Sequence, residues 1–335
     1  MNVGAAVFPI MGTVRETGSK MAGRVSQILT NRRLQVRGLG AAVLLAGVGA
    51  ALIGPVEVSA FYLFVEGGRF HYEGFRFGSF MFAYIALQVA GYYGIAVVGT
   101  VLGYGLVRLR RWSHAVVDTL LWFWLIWGFP LTVVMIVMLV VSKEPTPGFL
   151  IAVVPLALIA YPVGPVLLVR ALRSPGVVAA FEARGPGPSP LEAIPLTVRL
   201  AGVHLVGFIL GLHFLLLLNS ILPWFGTFLS GPGGALAIGV LVVALVWLTG
   251  GLLLMKRWAW WAGMSTLGLI TVSSAMTFAR HTLADVIDVV GFPAAEMVWF
   301  EGVPFLRMPY VALALVVPVL VALGLLLVSR RHYAA

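Results

Sequence analysis

His114 and Asp118 stand one helical turn apart at the start of a long apolar stretch. On a helix they share a face. An imidazole beside a carboxylate within a membrane is a pairing that can accept and pass protons. The plainer reading, which we prefer, is an interfacial Asp118 neutralised by Arg110 or Arg111. His204 and His213 lie nine residues apart in a later stretch, about 180° around a helix. They cannot share a metal on that helix and are expected to bond to neighbouring helices, as are Asn219 and Ser220. Glu57 follows Pro55 and is expected to reach the outer interface. His281, Asp285 and Asp288 are spaced so that they could hold a divalent cation. A solvated helix face is the preferred reading there.

Signatures that would name an enzyme are missing. The chain has no HExxH, no GxSxG and no GxxxxGK[ST] phosphate loop. It has no cysteine, which excludes disulfides, thiolate catalysis and thiolate-ligated metals. No lysine lies in mid-span, and no facing pair of histidines is evident for haem. No catalytic residue, metal site or cofactor is assigned. Two proline-broken stretches, Ala160 to Pro165 and Gly128-Phe129-Pro130, are the places where a solute could sit, but a proline kink without a substrate is the preferred reading. The cluster Trp122, Trp124 and Trp127 reads as helix packing or lipid contact.

The elements that must position these residues follow from composition. Of the residues, 61% are hydrophobic and 10% charged, with a mean hydropathy of +1.03. A soluble domain carries about 25% charged residues, so most of this surface must face lipid. A backbone in lipid must satisfy its own hydrogen bonds. Continuous apolar runs of about 20 residues select helices over a barrel. The fold class expected is an all-α polytopic transmembrane bundle of about eight spans. They fall near 38–65, 79–107, 113–142, 148–170, 196–222, 235–254, 258–279 and 308–329. The formal net charge of +10 does not indicate nucleic acid, because the basic residues sit at span ends. The first 30 residues lack the pattern of a signal peptide. Segment 21–34 reads equally as a membrane-surface helix or as a loose basic tail. A kink or early exit is expected at Gly54-Pro55, and close helix approach at Gly99-xxx-Gly103 and Gly207-xxx-Gly211. The aromatic outer loop 66–77 reads as a small hairpin or an interfacial loop. Ser174-Pro175 should start a short helix, 175–184, laying Val177, Val178 and Phe181 on the membrane surface.

Topology rests on two turns. Gly105-Leu106-Val107-Arg108-Leu109-Arg110-Arg111-Trp112 returns as Gly251-Leu252-Leu253-Leu254-Met255-Lys256-Arg257-Trp258. Arg108, Arg110, Arg111 and Trp112, with Lys256, Arg257 and Trp258, form the topology-setting interface. Seventeen of the 22 Lys and Arg lie on one side of the eight-span arrangement, which places both termini in the cytoplasm. The turns also align a first half, 38–172, with a second half, 196–335, as a possible parallel four-plus-four repeat. The basic segment 1–37 precedes them, the linker 173–195 separates them, and an outer amphipathic segment, 280–307, lies in the second. In this alignment Trp260 falls at the place of His114 and Met264 at that of Asp118.

The reading is a multi-pass protein of a prokaryotic cytoplasmic membrane. An accessory or scaffold role is expected, with the lipid bilayer, other membrane subunits or a second copy as partners. The alternative is a transporter of a small or lipophilic solute through broken spans 3 and 4. An enzymatic role is disfavoured.

Overall fold

The computed structural model describes residues 8–141, 147–184, 187, 189–301 and 308–333. Lys143, Glu144, most of the Gly185–Pro188 stretch and the 302–307 end of the expected amphipathic segment lie outside the described residues. Long apolar helices dominate, in the order α1 (Phe8–Phe64), α2 (Phe80–Val107), α3 (Arg111–Val141) and α4 (Pro147–Leu158). A π-helical turn, Ile159–Val163, joins α4 to α5 (Gly164–Leu172). Two short helices follow, α6 (Pro175–Glu182) and α7 (Pro190–Ala193), then α8 (Leu196–Leu217). A hairpin of β1 (Leu222–Trp224) and β2 (Thr227–Leu229) leads to α9 (Gly231–Leu253) and α10 (Arg257–Phe278). The chain then forms α11 (Leu283–Val290), α12 (Ala294–Glu301) and α13 (Met308–Ser329).

Among the described residues, six helical segments are long and apolar enough to cross a bilayer: 31–64, α2, 111–136, 151–172, α8 and α9. A seventh, α10, qualifies together with α11, to which it is bent by 104°. The 22-residue α13 occupies the eighth expected position. The protein is an all-α, multi-pass membrane bundle, and lipid is its solvent.

Several boundaries differ from expectation. The helix of span 1 continues through Pro55 without an exit and extends back to Phe8, through segment 21–34. Span 3 is one helix through Pro130, so the break expected at Gly128-Phe129-Pro130 does not interrupt it. Span 4 is irregular where predicted. Pro162 and Pro165 supply no N–H to the ladder, and the Gly164 N–H reaches back to the Ile159 carbonyl to close the π turn. Span 5 ends at Leu217, short of the expected 222, where Asn219 and Ser220 both turn left-handed (φ 53° and 54°).

The chain divides into two compact units, residues 1–47 with 98–192, and residues 48–97 with 193–335. In the first, α1 and α2 approach backbone to backbone. A Cβ on Gly103 would lie 2.5 Å from the Leu44 nitrogen, and one on Gly40 2.7 Å from the Val107 nitrogen. This is the close packing that Gly99-xxx-Gly103 forecast. The core beneath it joins Val36, Leu106, Leu109, Leu172, Val177 and Phe181. Val177 and Phe181 on α6 therefore face the protein core and not the membrane surface, because the span-2 turn offers them a better apolar seat. The second unit is centred on α8, α9, α10 and α13, with Leu205, Ile238, Leu245, Leu252 and Leu267 almost wholly buried.

Candidate functional site

In the first unit, α3 begins just after the arginine turn and presents His114 and Asp118 on one face. Asp118 is 5% exposed. Both of its oxygens accept from Arg173, at 2.8 Å from Nε and 2.9 Å from Nη2. These hydrogen bonds push the Arg173 guanidinium above its ordinary value. The Arg173 Cζ lies 5.3 Å from the centre of the Trp122 ring. The partner of Asp118 is thus Arg173, at the exit of span 4, and neither Arg110 nor Arg111. Arg111 is held at 2.9 Å by Glu192. His114 Nε2 donates to the Leu172 carbonyl at 3.1 Å, and its ring lies 4.9 Å from that of Phe181. The pair nominated for proton chemistry is engaged in holding the end of span 4 against span 3.

The other nominated residues also have structural partners. His204 is buried, and its Nδ1 meets the Leu200 carbonyl at 2.8 Å. His213 lies on the exposed side of the same helix, with Nδ1 2.7 Å from the Ile209 carbonyl. Each ring turns back on its own helix four residues earlier. Asn219 reaches across to α11, where its Nδ2 donates to the Val289 carbonyl at 2.8 Å. Glu57 is half-buried on α1. Gly211 faces open space. No group of three metal-ligating side chains gathers among the described residues. Asp285 instead accepts from the Thr282 N–H at 2.6 Å, in a capping box that starts α11. That bond draws its carboxyl below the usual range. His281 Nε2 meets the Gly226 carbonyl at 3.2 Å.

The two basic turns adopt the same backbone bonds in the two units. Arg110 N–H donates to the Gly105 carbonyl at 2.8 Å, and Lys256 N–H to that of Gly251 at 2.9 Å. Leu109 N–H donates to Leu106 and Met255 N–H to Leu252, each at 2.9 Å. Leu109 and Met255 are both left-handed, with φ of 52° and 53°. These are Schellman closures. Added Cβ atoms on Gly105 and Gly251 would meet the rings of Trp112 and Trp258 at 2.9 Å and 2.8 Å. The likeness extends beyond the turns. Trp260, at the place of His114, donates to the Leu326 carbonyl at 2.8 Å, where His114 serves Leu172. Gly40 packs on Val107, and Gly202 on Leu253.

Two polar constellations escaped the sequence reading. Ser189-Pro-Leu-Glu192 is a capping box, with Ser189 N–H donating to Glu192 at 2.8 Å. Its spacing was a readable signal, and it aims Glu192 at Arg111. The second is Glu296, fully buried. It accepts from the N–H groups of Phe80 at 2.7 Å and Met81 at 2.9 Å, and from the Tyr72 hydroxyl. Burial first, then the bond to Glu296, pushes the Tyr72 phenol well up. The aromatic loop is packed around this point through Phe64, Tyr72, Phe75 and Phe82. No local pattern links residues 216 apart.

Comparisons with protein-family models, with curated proteins and with solved structures find no match.

Proposed function

We propose that this integral membrane protein is a non-enzymatic accessory or scaffold subunit of a prokaryotic cytoplasmic membrane, packing with other membrane components. The observation that carries the reading is the bidentate Asp118–Arg173 pair beside the His114–Leu172 bond. The most chemically promising pair in the sequence fastens one span to the next. His204, Asn219 and Glu296 likewise make bonds that fix helices or their ends. We read the architecture as a duplicated four-helix unit. Support comes from the matching Schellman turns, the matching glycine contacts and the His114/Trp260 equivalence. An even number of spans per copy makes the copies parallel and puts both termini on the cytoplasmic side.

The test is isolation from native membranes in lipid discs, followed by native mass spectrometry. A stoichiometric membrane partner, lost when detergent replaces lipid, is expected. Recovery of the chain alone, with solute flux after reconstitution into vesicles, contradicts the proposal. One observation favours that transport reading: the π turn at Ile159–Val163, where Tyr161 stacks on Trp124 at 5.4 Å. Flux abolished by Tyr161→Ala would establish it.

A further inference from the structure

The arginine turn of the first unit opens onto a cleft of about 320 Å³. Its walls include Arg108, Arg110, Arg111, Trp112, Arg184 and Ser189. Glu192 neutralises Arg111. Arg108, Arg110 and Arg184 are exposed and form no ion pair among the described residues. Arg108, Arg110 and Arg184 thus line one concavity, and the carboxylate of Glu192 pairs with the fourth arginine, Arg111. Arg111 and Trp112 belong to the first turn of α3, a 31-residue helix, so the partial positive charge of a helix N-terminus adds to theirs. Forked donors of this kind match phosphate oxygens.

The surroundings name the source of that phosphate. The cleft lies where two spans leave the apolar layer, and an indole forms part of its wall. One face of α2 leads into it: Val101, Tyr104 and Arg108 succeed one another at helical spacing. Val101 and Tyr104 are about half exposed, and the Arg108 Cζ lies 5.6 Å from the centre of the Tyr104 ring. An apolar track ending under a cluster of arginines fits a molecule with acyl chains and an anionic head. A soluble phosphate would not use the track. We propose that this cleft binds the phosphate headgroup of an anionic phospholipid, with its chains lying along Val101 and Tyr104.

The second unit supplies an internal control. Its equivalent turn has Lys256 and Arg257 at the places of Arg110 and Arg111, but Leu254 at that of Arg108. The proposal concerns the first turn alone and holds whichever way the chain is oriented.

The full-length protein, purified in a neutral detergent, is titrated with phosphatidylglycerol, with phosphatidylcholine and with inorganic phosphate, and bound species are read by native mass spectrometry. Phosphatidylglycerol should bind in preference to phosphatidylcholine. Arg108→Gln/Arg184→Gln should weaken it roughly 30-fold, from about fivefold per surface cation. Lys256→Gln/Arg257→Gln removes the same charge and should weaken it less than about threefold. If the first pair fails to purify, Arg184→Gln alone carries the test, with a loss of about fivefold. Equal binding of the two lipids overturns the proposal, as does an equal loss in both double variants. Inorganic phosphate that displaces phosphatidylglycerol at comparable concentration assigns the cleft to a soluble anion and also overturns it.

Discussion

Replacing Glu296 by alanine removes one side chain and with it an acceptor for three donors. The Phe80 and Met81 amides belong to the first turn of α2, where no helical carbonyl can serve them, and they lose acceptors at 2.7 Å and 2.9 Å. The Tyr72 hydroxyl loses its acceptor as well. Bonds to a carboxylate contribute about 1.5–3 kcal/mol each, so simple addition would give roughly 4.5–9 kcal/mol. Addition overshoots, because the donors form one network and Tyr72, half-buried, can recover water. The expected cost of Glu296→Ala is about 3–5 kcal/mol. Glu296→Gln keeps one acceptor but turns an amide toward a helix N-terminus, and about 1–3 kcal/mol is expected. The assay is reversible unfolding in detergent, with proteolysis of loop 65–79 as a local readout, in a double-mutant cycle with Tyr72→Phe. Coupling of about 1–2 kcal/mol between the two positions is predicted. A Glu296→Ala protein within about 0.5 kcal/mol of wild type, with an equally resistant loop, would refute the reasoning.

Three further outcomes follow from the same geometry. Asp118→Asn should destabilise by about 1–3 kcal/mol, and its coupling with Arg173→Gln should be nearer about 1 kcal/mol because the Arg173 side chain is 46% exposed; equilibrium unfolding of the four proteins measures both. The left-handed turn residues should respond to glycine with opposite signs. Met255→Gly relieves a strained φ at a 38% exposed site and should stabilise by about 0.5–1 kcal/mol, whereas Leu109→Gly also empties a buried core position and should destabilise by about 2–3 kcal/mol. Tyr333 is buried, its phenol is pushed up to about 12 from 10.0, and its hydroxyl donates to the Leu252 carbonyl at 3.2 Å. The folded state holds this proton more tightly, so its contribution is complete below pH 10 and is lost as pH rises from 10 to about 12. Alkaline unfolding of Tyr333→Phe should therefore be shallower than that of wild type across this window, with the tyrosinate absorbance of wild type rising late.

What could be read from residue order was whatever local chemistry dictates. Apolar length set the spans, since a helix of about 20 residues is what a bilayer demands. Gly99 and Gly103 marked the close approach of α1 and α2, and Ser174-Pro175 marked the start of α6. Prolines 162 and 165 marked the irregularity in span 4. Pro130, by contrast, sits within a continuous helix, because packed spans tolerate the loss of one N–H. Partner choice was not legible. Asp118 selects Arg173, 55 residues away, over the arginines nearest in sequence, and Arg111 is taken by Glu192. Glu296 caps a helix begun 216 residues earlier. The hairpin Leu222–Leu229 was hidden because its turn reads Phe225-Gly226, with φ of 41° and 92°, in place of the usual Asn-Gly. Its stability comes from Ser273 and Thr277, whose hydroxyls accept from the Phe225 and Gly226 amides at 2.9 Å and 3.0 Å.

In the proposed topology the chain threads the membrane repeatedly, with its arginine turns on the cytoplasmic side. Because the chain has no cysteine, single cysteines report position without background. Glu73→Cys, in the exposed aromatic loop, and Ala183→Cys, exposed at the end of α6, should be modified by a membrane-impermeant maleimide from opposite faces. Intact cells should label the first alone, and inverted vesicles the second alone. Labelling of both from the same face contradicts the account.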